Sequence, residues 1–116
     1  MKKTVILAAL VLILAACASS PQVKALTAPQ MTAMSPSEVN TYYAAQNKKL
    51  LDKVLLNYGD DAYELVHPIT TQMNNDLTNL SKRNITRSQY NDGVNTIVSR
   101  AQQKIDAAVE ASKANS

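Results

Sequence analysis

Met34-Ser35-Pro36-Ser37-Glu38-Val39 is the stretch whose reading decides the fold. Ser35 can cap a helix, Pro36 suits the first helical position because its missing amide proton is not needed there, and Glu38 completes a capping box. Met34 and Val39 fall at the two positions of a hydrophobic staple. Beyond them Val39, Tyr43, Leu50 and Val54 form one row at helical spacing, with Leu51, Leu55 and Tyr58 on the adjacent row. This pattern predicts an amphipathic helix over 36–57, closed by Gly59 in a left-handed cap.

Working outward, Asp60 and Asp61 supply a new cap, with Glu64 three residues after Asp61, so a second helix can start almost at once. His67-Pro68 predicts a kink or short break, since proline removes a backbone hydrogen bond and disfavours helical geometry at the residue before it. Ile69, Met73, Leu77 and Leu80 then carry the apolar stripe to about Lys82. The Asn and Thr residues between them are weak helix formers, so this helix must lean on tertiary packing. Thr86-Arg87-Ser88-Gln89 repeats the capping box, with Ile85 and Tyr90 at staple positions. Tyr90, Val94, Ile97, Ala101, Ile105, Ala108 and Ala111 follow at steps of three and four, predicting a third helix over 87–112. Gly93 weakens that helix by roughly 1 kcal/mol relative to Ala, and close approach of a neighbour would be its reason. The connections near Gly59 and Asn84 are short, so consecutive helices should be antiparallel neighbours. The predicted domain, 35–116, is therefore all-α, a small three-helix bundle or an elongated helical hairpin.

Upstream, residues 18–34 are small and polar, punctuated by Pro21 and Pro29, and keep neither a helical period nor a strand alternation. They read as a flexible tether. Val23, Leu26, Met31 and Met34 are the apolar exceptions, able to dock on the folded part or on a partner.

The first residues are of a different kind. Lys2 and Lys3 precede an apolar run over 5–14, and Ala15-Ala16 supplies small residues of the type a signal peptidase requires. Counted even to Ala18, the run spans roughly 21 Å as a helix, and a bilayer core is about 30 Å thick. Leu14-Ala15-Ala16-Cys17, ending on the sole cysteine, resembles the lipobox of bacterial lipoproteins. The resemblance implies Leu14, Ala15 and Ala16 as signal-peptidase recognition residues, removal of 1–16, and diacylglycerol on the Cys17 sulfur. It further implies an acyl chain such as palmitate on the new amino group, and a lipidated N-terminus and linker over 17–34. Several acyl chains anchor stably where one exchanges. In such lipoproteins Asp after the cysteine retains the protein in the inner membrane. Ala18 stands there, which implies sorting to the outer membrane with the polypeptide facing the periplasm.

Removing Lys2 and Lys3 brings the net charge from +3 to +1, so the basicity belongs to targeting. The remaining chain has no run of Lys or Arg longer than Lys48-Lys49 or Lys82-Arg83, which argues against a nucleic-acid partner. Catalysis has a poor inventory. His67 is the only histidine, Cys17 is taken by lipid, and Asp60, Asp61 and Glu64 are explained by capping and the helix dipole. No catalytic residues, metal or cofactor are expected, and the chain reads as a non-enzyme.

Tyr42 and Tyr43 are adjacent and point about 100° apart on a helix, so both cannot face one core. Tyr42, Tyr58 and Tyr63 are the interface candidates, because tyrosine joins apolar area to a hydrogen-bonding tip. With no Phe or Trp in the chain, tyrosine must also fill core positions. Polar Asn and Gln along the later helices fit either a solvated surface or a mixed homo-oligomeric interface. The chain also resembles, in size, lipobox and composition, the small plasmid- or phage-encoded exclusion lipoproteins, which block entering DNA at an envelope component. The expected function is protein–protein binding in the bacterial envelope by an outer-membrane lipoprotein. The alternatives are an oligomeric envelope spacer and a regulator of an envelope enzyme.

Overall fold

The expected hydrogen bonds form at the opening helix start. The Glu38 N–H donates to Ser35 Oγ at 3.2 Å, and the Ser35 N–H donates back to Glu38 Oε1 at 3.0 Å. The backbone bond from Ser35, followed by the side-chain one, holds the Glu38 carboxyl below the ordinary glutamate range. Its contribution is therefore complete above that range and lost as the pH falls from it through the lowered folded value.

The computed structural model describes residues 21–114, with four helices and no strand among them. A short α1 (Ala28–Thr32) precedes α2 (Pro36–Tyr58), α3 (Asp60–Ser81) and α4 (Arg87–Ala114). The protein is all-α, and the three long helices begin and end within two residues of the positions their sequence signals predict. Helix α3 packs against both α2 and α4, whereas α2 and α4 touch each other little. One core runs through the set, from Val39, Tyr43, Leu50 and Val54 through Val66, Met73 and Leu77 to Val94, Ile105 and Val109.

Residues 21–34 fill the space left between α2 and α4. The flexible tether expected there is instead a strap packed into the core, with Val23, Leu26 and Met31 buried and Met34 half-buried. Burial of apolar side chains holds it, and side chains of the long helices satisfy its backbone. Gln102 Nε2 donates to the Pro21 carbonyl at 2.9 Å, while its Oε1 accepts from the Val23 N–H at 2.7 Å. The Leu26 N–H donates to Tyr43 Oη at 2.9 Å, and Arg87 donates to the carbonyls of Met31 and Met34. Helix α1 has its own capping box between Thr27 and Gln30.

Three local expectations change. Pro68 lies inside α3 without ending it. The carbonyl of Glu64 loses its helical partner at Pro68, and both residues lie on the exposed face. Val66 and Thr70, both buried, hold the helix to the core on either side of the proline. Asp60 and Asp61 are not the cap of α3: Gly59 is the boundary residue of both helices, its N–H donating to the Leu55 carbonyl and its own carbonyl accepting from Tyr63 N–H, each at 3.1 Å. Its φ of 86° and ψ of −173° differ from the left-handed cap expected there and lie in an extended region that essentially only glycine occupies. The two aspartates then occupy the first turn, where the helix dipole favours them.

Gly93 has the packing reason expected of it. A Cβ there would lie 2.7 Å from Leu80 Cδ2, so α3 and α4 meet at a distance that only glycine allows without a shift. Part of the asparagine content is likewise internal. Asn47, buried, donates to Asn74 Oδ1 at 2.7 Å, and Asn40 donates to Ser81 Oγ at 3.2 Å. These two pairs fix the register of α2 on α3.

Candidate functional site

Ile97, Arg100 and Lys104 recur on α4 at steps of three and four, and Ile69, Gln72 and Asp76 do the same on α3. Because the two helices are antiparallel neighbours, the rows face each other across a groove of about 320 Å³. Met73 and the half-buried Ile69 and Ile97 give it an apolar floor. Arg100 and Lys104 stand on one wall and Asp76 on the other. An apolar floor with charged walls suits a side chain or helix edge of another protein. The α3 side is acidic, since that helix carries Asp60, Asp61, Glu64 and Asp76 and no Lys or Arg.

The tyrosine candidates are each half-buried against the core. Tyr42 packs edge-on against Tyr43, ring centres 5.1 Å apart, and its hydroxyl donates to the Lys24 carbonyl at 2.7 Å. It therefore clamps the strap. Tyr58 lies under the Lys113 ammonium, 5.4 Å from the ring centre, and Tyr63 stacks on His67 at 5.6 Å. The three sit at different places and do not form one patch around the groove. His67 is exposed and occupied by that stacking. Among the described residues, no three His, Cys, Asp or Glu side chains converge as a metal site. No described helix is long and apolar enough to cross a membrane. Leu14, Ala15, Ala16, Cys17 and Ala18 lie outside the described residues.

Burial, ahead of the opposing bond from the Leu26 N–H, pushes the Tyr43 phenol above the ordinary tyrosine range. Burial does the same at Tyr90, ahead of the opposing charge of Arg87, and no hydrogen-bond partner is found for its hydroxyl. A folded pKa above the unfolded one means that the stabilisation is complete below the unfolded value of about 10 and is lost as pH rises through the folded values. Stability should accordingly fall in alkali. The phenolate absorbance of these two tyrosines should appear together with loss of helical circular dichroism. Complete phenolate titration with the helix signal intact would contradict this.

Arg87 and Gln102, which hold the strap, and the groove rows were not singled out from the sequence. Their spacing was visible, but their partners lie on other elements. Comparison with protein families, with curated proteins and with solved structures finds no match for the chain.

Proposed function

We propose that the chain is an outer-membrane lipoprotein, anchored through lipid on Cys17, whose helical domain acts by binding another protein of the bacterial envelope. The observation that carries the reading is Leu14-Ala15-Ala16-Cys17 behind a cationic start and a short apolar run. The groove between α3 and α4 supports the binding half, because it offers apolar area with charged walls away from the strap. Exclusion of incoming plasmid or phage DNA is one outcome such binding would serve, since occupying an envelope component blocks its use by a second arrival.

Two variants test the two halves separately. Cys17→Ser should abolish incorporation of labelled fatty acid and release the protein from the membrane fraction; unchanged attachment would refute the anchor. Ile97→Glu places a charge on the groove floor. It should leave membrane attachment intact and weaken the crosslink to the principal envelope partner roughly tenfold or more, as loss of a buried interface anchor does. An unchanged crosslink would move the binding surface elsewhere.

A further inference from the structure

The strap runs antiparallel to α2. Leu26 is held at Tyr43, and one step further along the helix the Lys24 N–H donates to Gln46 Oε1 at 3.3 Å. Read backwards towards Cys17, the chain therefore advances towards the C-terminal half of α2 before crossing to Gln102 at Pro21. Tyr42 and Gln46, which grip it, belong to a stripe that continues at steps of three and four through Lys49, Lys53 and Leu56. All three are exposed, Leu56 by 84%. The strap adds Lys24, also exposed, to the same side, and the exposed Asp52 at the edge of the stripe leaves it three ammonium groups to one carboxylate.

The acidic side lies elsewhere. Asn40 and Asn47, which face α3, are roughly 100° or more around the α2 axis from Tyr42, Gln46 and Lys49. The four carboxylates of α3 belong to the helix on the opposite side of α2 from Lys49 and Lys53.

From these positions we infer that Lys24, Lys49, Lys53 and Leu56 form a membrane-apposed face, which rests the strap side of the molecule on an anionic phospholipid surface. The inference builds on the Cys17 anchor. Pro21 is pinned to α4, and the four residues back to Cys17 extend at most about 14 Å. A lipid there holds the bundle against the bilayer. Three ammonium groups on the strap side attract acidic headgroups, and a leucine next to them enters the interface, the pairing of acyl chain and basic patch that gives stable attachment. The groove and the acidic α3 side then point into the aqueous compartment.

The test uses the protein isolated from its own envelope. Mass analysis of the N-terminal peptide comes first: absence of diacylglycerol on Cys17 refutes the anchor itself, and this inference with it. The lipidated protein is then placed in vesicles of phosphatidylethanolamine alone, or mixed with phosphatidylglycerol, and treated with a water-soluble amine reagent. In the mixed vesicles, Lys24, Lys49 and Lys53 should react about fivefold more slowly than in detergent, with Lys104 unchanged. Lys49→Glu combined with Lys53→Glu should remove the protection of Lys24 while the helical circular dichroism is retained. Equal rates at Lys24, Lys49, Lys53 and Lys104 would overturn the face with the anchor intact. Equal protection in the two vesicle types would overturn its recognition of anionic lipid.

Discussion

Met31→Ala is expected to lower the free energy of unfolding by about 3 kcal/mol, within the range for truncating a buried methionine to alanine. Met31 is fully buried although it lies in a five-residue helix ahead of the bundle. Its loss would empty the space under the strap, where Leu26 and the Arg87 bonds to the Met31 and Met34 carbonyls converge. The measurement is a urea transition followed by circular dichroism. A single transition moved to lower urea is expected, because strap and bundle share one core. A change within about 0.5 kcal/mol, typical of surface positions, would mean that residues 21–34 do not contribute to the folded state.

Gly59→Val should destabilise by about 2 kcal/mol, through the backbone alone. Nothing lies within 4 Å of a Cβ placed there, so no clash contributes. The cost comes from φ of 86° with ψ of −173°, a combination that side chains with a Cβ avoid at about 1–3 kcal/mol and that β-branched residues tolerate worst. A residue forced out of this conformation would part α2 from α3 at their only connection. Unaltered stability in the same urea transition would show that the turn can take another path.

The long helices were legible because each is announced locally. A Ser or Thr followed three residues later by Glu or Gln begins α2 and α4, and a glycine separates α2 from α3. The apolar steps of three and four between these marks name most of the core. The strap carries the same kind of mark, Thr27 with Gln30, and it forms the same reciprocal bonds at 3.3 and 2.9 Å. It escaped notice because the helix it starts ends after five residues, too short for an apolar period to show. What fastens the segment is tertiary: Tyr43, Arg87 and Gln102 read as ordinary helical residues until the fold brings them to a backbone that needs partners. Of the kink or short break expected at His67-Pro68, the break does not occur: the helix runs through Pro68, with Val66 and Thr70 buried on either side of it. The groove is hidden in the same way, as two rows that meet only when α3 and α4 pack together.

The fastening of Val23 to Gln102 spans 79 positions of the sequence. A chain made from its N-terminus presents the strap first, and α2 follows it with Tyr42, Tyr43 and Gln46, which hold Lys24 and Leu26. Gln102, which holds Pro21 and Val23, arrives only with the middle of α4. Closing so long a loop is slow compared with forming the helices, whose bonds are local. The strap thus has two kinds of fastening, bonds to α2 that span 17 to 22 positions and bonds to α4 that span 79 and 81. The bonds of Gln102 are the mark that the two distant parts of the polypeptide have met.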